Sequence, residues 1–185
     1  YEEDKKMFKK LQRMVILVTV ISLMCSMPTM AKTRGHQLIS LPENEESILL
    51  PETVISSTGK DMVVGRSKAL ASALCKITNT EKGIIHIYAE TAMFIPVDWA
   101  GLTVYLEKLD ESTKKWLVVE TFEKEFTPAD EEDGELTSVE VSIDVGTQPV
   151  GYYYRIRCLH ELEYDNGWYE AKSTKTEGVL LTNIK

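Results

Sequence analysis

The sequence predicts an all-β protein, an antiparallel two-sheet sandwich of seven to eight strands with immunoglobulin-like or fibronectin-type topology. Short runs of β-branched and aromatic residues alternate with polar ones, and turn signals separate these runs about every ten residues. Long helical periodicity is absent. Because each strand offers one apolar face, two such faces must pack together to leave water. A closed barrel is the alternative for the same pattern.

The strands are justified one after another by alternation and by the turns between them. Ala73, Cys75 and Ile77 alternate with Leu74, Lys76 and Thr78, and a turn at 80–83 places Gly83 where a positive φ is expected. The remaining expected strands are 84–90, 102–109, 116–126, 136–145, 152–162, 168–174 and 177–183. The turn at 165–167 reads Asp-Asn-Gly, which is a strong hairpin signal.

The segment GYYYRIRCLHELEYDNGW, 151–168, is the most crowded part of the chain, and its alternation indicates a central strand. The pattern predicts an inward face and a solvated face, with the two arginines on the solvated face pairing with cross-strand carboxylates. Trp116 is expected to fill the middle of the sandwich and Trp99 to cap its open end. The expected inward residues are Tyr152, Tyr154, Ile156 and Cys158, and the expected outward residues are Tyr153, Arg155, Arg157 and Leu159.

The N-terminal 31 residues have the features of a secretory signal peptide. A basic start precedes the apolar run Met14–Met24, and small residues precede a cleavage point after Ala31. An uncleaved N-terminal anchor is the alternative. The sequence therefore predicts a removed signal peptide at 1–31, a loosely attached arm at 32–66 and a β-sandwich domain at 67–185. We expect a secreted, extracellular protein with no membrane attachment after cleavage.

The charge of the chain excludes two classes of partner. The formal net charge is −8, and cleavage after Ala31 removes more basic than acidic residues. Such a surface repels nucleic acid and anionic lipid, so neither is expected as a partner. Cys75 and Cys158 are the cysteines left after cleavage. In an exported protein they form either a disulfide or a pair of buried thiols, and the sequence leaves both open.

The segments LTVYLEKL, KKWLVVETF, GYYYRIRCLHEL and NGWYEAKSTKTEGVLL together resemble a family of proteins. These are small, uncharacterised exported β-sandwich proteins of Gram-positive anaerobes. The shared pattern is a GYYYR strand followed by His, Gly and Glu, here Gly151–Arg155, His160, Gly167 and Glu170. The resemblance covers roughly Arg66 to the C-terminus. It implies the fold and export, and it implies no catalytic activity.

Few residues of the sequence suggest a catalytic or metal-binding site. His160 and Glu170 are expected to face each other across the hairpin as a structural polar pair, with acid–base catalysis as the alternative. Cys158 beside His160 suggests a nucleophile only if the thiol is open and acidic. The histidines lack metal-ligand spacing, so no metal and no cofactor are predicted. Whether the acidic loop 130–135 binds calcium stays open.

Aromatic residues near the hairpin suggest a binding surface. Tyr153, Tyr164, Trp168 and Tyr169 lie close together in the sequence, and exposed Tyr and Trp make good contact area for a protein or glycan partner. The alternative is cross-strand pairing that only stabilises the sheet. The favoured hypothesis is a secreted, non-catalytic binding module. An antagonistic, toxin-like protein that acts on neighbouring cells is the second, and a hydrolase is the third.

Overall fold

The computed structural model describes residues 46–62, 67–80 and 83–183. This part of the chain contains nine strands and one 3-10 turn, Pro128–Asp130. No helix within it has the length and apolar character that a membrane span requires. The strands are β1 (Ser56–Met62), β2 (Leu70–Asn79), β3 (Ile85–Val97), β4 (Trp99–Asp110), β5 (Lys115–Phe126), β6 (Leu136–Val145), β7 (Tyr153–Tyr164), β8 (Trp168–Lys175) and β9 (Val179–Leu180).

The strands form two packed sheets, which confirms the predicted sandwich. One sheet has the order β1-β2-β3-β6, and the other has the order β5-β4-β7-β8 with β9 also paired to β7. All of these strand pairs are antiparallel. The orders β2-β3-β6 and β4-β7-β8 match the A-B-E and C-F-G strands of immunoglobulin-like domains. The strands β1, β5 and β9 bring the total of the described strands to nine.

Alternation of side chains builds the core between the sheets. On β6, Val139, Val141 and Val145 are buried, and on β4 Val104 and Leu106 are fully buried. The even-numbered residues of β7 complete this layer, as the sequence predicts for three of them: Tyr154, Ile156 and Cys158. Tyr152 is different, because β7 begins at Tyr153 and the Tyr152 side chain is 40% exposed.

The outward face of β7 is buried as well, which corrects the prediction for its arginines. Arg155 and Arg157 are buried on the far side of the five-stranded sheet instead of being solvated. Both guanidinium groups pair with the cross-strand carboxylate of Glu107, as expected, but this carboxylate is buried too. Trp116 does not fill the middle of the sandwich, because its ring lies against the Arg155 guanidinium. The five-stranded sheet therefore has side chains packed on both faces.

Part of the predicted arm belongs to the sandwich. Residues 56–62 form the edge strand β1, which pairs along its whole length with β2. Its sequence SSTGKDM has little apolar character, so periodicity gives no signal for it. Backbone pairing and close packing hold it in place instead. The signal peptide and the rest of the arm up to residue 45 lie outside the described residues.

Replacing Gly59 by alanine is expected to lower the free energy of unfolding by about 1–3 kcal/mol, the usual cost of overpacking. A Cβ at Gly59 would lie 2.0 Å from the carbonyl oxygen of Lys175 on β8, so backbone must move. Gly146→Ala is the matched control, because a Cβ there meets nothing within 4 Å. Denaturant unfolding measures both variants. Equal stability of the two would contradict the close contact between β1 and β8.

Candidate functional site

The hairpin between β7 and β8 carries the predicted contact residues. Its loop is Asp165, Asn166 and Gly167, with φ values of 48°, 60° and 125°. The predicted turn is therefore confirmed, with one more left-handed residue than a two-residue hairpin has. Tyr164 and Trp168 face each other where the loop closes.

Three contacts fix the hairpin to the neighbouring loops. The backbone N–H of Asn166 donates to Asp98 Oδ2 at 3.1 Å. The N–H of Asp98 in turn donates to the carbonyl oxygen of Glu163 at 2.8 Å. The ammonium of Lys68 lies 2.6 Å from Asp165 Oδ2. The hairpin tip is thus attached both to the β3–β4 corner and to the segment that leads into β2.

The structure does not gather the four predicted aromatic residues into one surface. Trp168 is 67% exposed and Tyr169 beside it is half-buried, with its hydroxyl donating to Glu161. Tyr164 faces the core, is 4% exposed, and donates to Glu170 Oε1 at 2.7 Å. Tyr153 pairs with β9 at the opposite end of β7, about 35 Å along the strand. Only Trp168 and Tyr169 remain as contact residues at the hairpin.

Phe94 is a further exposed aromatic residue at the hairpin end of the sandwich, and the sequence pattern did not predict it. Phe94 is 62% exposed, and its N–H donates to the carbonyl oxygen of Ala69. Ala69 follows Lys68, whose ammonium contacts Asp165 of the hairpin. Phe94 lies on β3 before Pro96, where the pairing with β6 becomes irregular. The sequence signal for its exposure is its position two residues before Pro96, where the regular alternation of β3 ends.

The acidic loop lies at this end too, because β5 ends opposite Ala100 and β6 begins opposite Val97. Within it the Asp130 carboxylate accepts from the backbone N–H and hydroxyl of Thr127, and these hydrogen bonds lower the pKa of Asp130. The Asp133 carboxylate accepts from the N–H of Glu135. Among the described residues no group of three or more His, Cys, Asp or Glu side chains is arranged to hold a metal ion.

His160 lies in the core and does not contact Glu170, so the predicted polar pair is wrong. The His160 Nδ1 lies 2.7 Å from the Thr91 hydroxyl and Nε2 lies 2.9 Å from the Thr174 hydroxyl. Burial lowers the pKa of His160 from 6.5 to about 4. The β7–β8 register explains the separation, because it pairs His160 with Lys172 and Glu170 with Leu162. The imidazole joins the two sheets as a neutral group.

Glu170 instead holds the segment that leads into β2. Its carboxylate accepts from the Ser67 hydroxyl and from the backbone N–H groups of Lys68 (2.9 Å) and Leu70 (3.0 Å). Burial raises the pKa of Glu170, but hydrogen bonds from Ser67, Tyr164 and the backbone outweigh it and lower the pKa from 4.5 to about 2. All of these donors belong to the protein itself, which indicates a structural role.

Cys75 and Cys158 are buried free thiols, so the structure contains no bridge between them. Both point into the core, as the alternation predicts, one from each sheet. Burial raises the pKa of Cys75 to about 11 and the pKa of Cys158 well above its usual value. A buried, protonated thiol is a poor nucleophile, which disfavours the Cys158–His160 alternative.

A charged cluster covers the outer face of the five-stranded sheet at its middle. Glu107 Oε2 accepts from Arg155 Nε at 2.7 Å, and Glu107 Oε1 accepts from Arg157 Nε at 2.7 Å. The Trp116 ring centroid lies 4.4 Å from the Arg155 guanidinium carbon, and the Tyr105 centroid lies 5.6 Å from that of Arg157. Both carboxylate oxygens are thus used inside the protein. The sequence pattern predicted that the arginines pair with cross-strand carboxylates, but it did not identify Glu107 as the partner of both.

A groove opens along the side of the sandwich between the edge strands β5 and β6. Its volume is about 560 Å³. Leu102 and Phe122 face Val141 and Ile143 across its apolar floor. The rim is polar and consists of Thr121, Glu123, Lys124, Glu140 and Ser142. No catalytic group among those described above lines the groove.

Comparison with known proteins adds no family to this geometry. No protein-family model matches the sequence, no curated protein matches it at a significant level, and no solved structure matches the fold at a significant level.

Proposed function

We propose that this protein is a secreted, non-catalytic binding module that acts by surface contact with a protein or glycan partner. The contact surface is the hairpin end of the sandwich, with Trp168 at its centre and Tyr169 and Phe94 as further aromatic contacts. Secretion rests on the signal-peptide pattern of residues 1–31. The single observation that carries the proposed surface is the exposed Trp168 on a braced hairpin.

A large aromatic side chain held by a rigid backbone is well suited to binding. Trp and Tyr supply much contact area for little conformational entropy, and they are enriched among the residues that dominate binding energy. The loop before Trp168 is fixed through Asn166 and Asp165 to its neighbours. Binding at this position therefore costs less ordering than it would on a free loop.

The ionisable residues of the crowded strand support binding over catalysis. His160 is bonded on both ring nitrogens to threonine hydroxyls, and Glu170 is bonded to backbone N–H groups and two hydroxyls. Cys158 is a buried thiol with a raised pKa. A catalytic group needs a free coordination position toward substrate, whereas these three are committed to neighbours in the fold.

The charge at the hairpin end restricts the partner further. The loop from Asp130 to Glu135 carries five acidic residues at that end of the sandwich. Electrostatic complementarity governs which partners approach such a surface. We therefore expect a neutral glycan or a basic protein surface, and not an acidic one.

Trp168→Ala is expected to weaken binding at least about 30-fold, the loss that corresponds to a central aromatic contact of about 2 kcal/mol. The probes are arrays of purified neutral glycans and immobilised basic peptides, with affinity measured for each positive probe. Quenching of tryptophan fluorescence reports contact at this residue, because Trp99 is buried and Trp116 is half-buried.

Tyr152→Ala is the matched control for this experiment, since Tyr152 is also exposed but precedes the other end of β7. It is expected to leave affinity unchanged. Affinity that is the same in Trp168→Ala and in the unmodified protein would remove the hairpin as the contact surface.

A further inference from the structure

The strand β5 is an open edge with an unusual set of exposed residues. Among the described strands it pairs with β4 alone. Leu117, Val118 and Val119 follow one another and are all exposed. Edge strands present unpaired backbone N–H and C=O groups and pair readily with another strand unless charges or bulges prevent it.

The register of β5 explains why three apolar residues in a row are exposed. Glu107 on β4 pairs with Val118, Leu106 pairs with Glu120, and Val119 has no partner between them. Such a bulge interrupts the alternation of faces. Bulges and lysine side chains usually protect an edge strand from pairing with another chain. The bulge of β5 instead exposes Val119, an apolar residue. The exposed positions of the other sheet's edge strand β6 are polar by comparison: Thr137, Ser138, Glu140, Ser142 and Asp144.

We propose that β5 pairs with the β5 strand of a second copy of this chain, antiparallel and around a two-fold axis near Val119. The two five-stranded sheets then join into one continuous sheet. The exposed apolar residues of both copies, Leu117, Val118 and Val119, meet around the axis and leave water. The proposal concerns an edge far from the hairpin and does not depend on the binding function proposed above.

The charges along β5 select this arrangement. Lys114 and Lys115 lie at its N-terminal end, and Glu123 and Glu125 lie toward its C-terminal end, all exposed. With the axis at Val119, Lys115 of one copy lies opposite Glu123 of the other and diagonal to Glu125, although Lys114 lies opposite Lys124; a parallel pair places like charges together along the whole strand. Lys124 interrupts the acidic end, and its ammonium lies 4.8 Å from the centroid of its own Phe126 ring.

A dimer of this kind has a consequence for binding. The β5 edge and the β7–β8 hairpin are different parts of the molecule, so both copies keep their hairpin end open. Two contact surfaces on one particle allow bivalent attachment to a repetitive partner, which raises the apparent affinity without a new contact.

Sedimentation velocity or light scattering of the purified chain, over a range of concentrations, tests the proposal. The expected result is a concentration-dependent dimer. Val119→Lys is expected to give a monomer with unchanged unfolding, because this side chain is exposed. Ser142→Lys on the other open edge is the matched control and is expected to leave the dimer intact. A chain that stays monomeric throughout, or a dimer that survives Val119→Lys, would overturn the proposal.

A charge exchange tests the antiparallel arrangement independently. Replacing Lys115 by glutamate is expected to weaken the dimer, since the introduced carboxylate faces Glu123 of the other copy. Adding Glu123→Lys and Glu125→Lys to that variant is expected to restore the dimer, because opposite charges meet again. Failure of the second pair to restore association, in variants shown to fold by their unfolding transitions, would refute the antiparallel pairing.

Discussion

Glu107→Ala is expected to lower the free energy of unfolding by about 3–5 kcal/mol, the usual cost of removing one partner from a buried ion pair. The Glu107 side chain is 2% exposed and accepts from both Arg155 and Arg157, which are buried with it. Two guanidinium groups then lose a carboxylate that water does not readily replace. The ring of Trp116 covers Arg155 from the outside, so relaxation of the cluster is restricted.

Denaturant unfolding at neutral pH measures this effect. Asp144→Ala removes a carboxylate that forms a hydrogen bond with His86, but its side chain is 74% exposed. This control is expected to change the free energy of unfolding by less than about 1 kcal/mol. Similar losses in both variants would show that the cluster on the outer face of the sheet is not closed to water.

The second large effect is a loss of stability in acid that depends on His160. The pKa of His160 is lowered in the fold to about 4 from 6.5, because burial disfavours the charged imidazole. Between these values the unfolded chain binds a proton that the folded protein does not. The contribution is therefore fully present above pH 6.5 and is lost as the pH falls toward 4, by about 3 kcal/mol.

The variant His160→Gln isolates this contribution. Its free energy of unfolding is expected to depend less on pH between 7 and 4 than that of the unmodified protein, by about 3 kcal/mol. Denaturant unfolding at several pH values between 7 and 4 measures this dependence in both proteins. Below pH 4.5 Glu170 contributes in the same direction, because its pKa is lowered to about 2. An unchanged slope in His160→Gln would assign the acid sensitivity to other groups.

Alternation in the sequence was enough to predict the sandwich and most of its strands. The segment 136–145 is a strand with the predicted bounds, and its Val139, Val141 and Val145 are buried. The turn at Gly83 has the predicted positive φ. These features are local, since they depend on a period of two and on the conformation of single residues.

The errors have a different origin, because they depend on which strands become neighbours. The alternation predicts Arg155 and Arg157 in solvent, because a period of two does not show that both faces of a central strand are buried. The hairpin position predicts a pair of His160 and Glu170, but the register assigns them different partners. Phe94 and the apolar edge of β5 were missed because exposure depends on the bulges and edges of the finished sheet.

The reactive-looking residues His160 and Cys158 belong to the packed interior, whereas the proposed contact surfaces lie on the exposed hairpin and edge. NMR titration of the histidine side chains is the direct test of this burial. The imidazole signals of His160 are expected to stay unchanged on acidification until the pH approaches 4. Titration of His160 near 6.5, as for an imidazole in open water, would show that this side chain is not buried in the core.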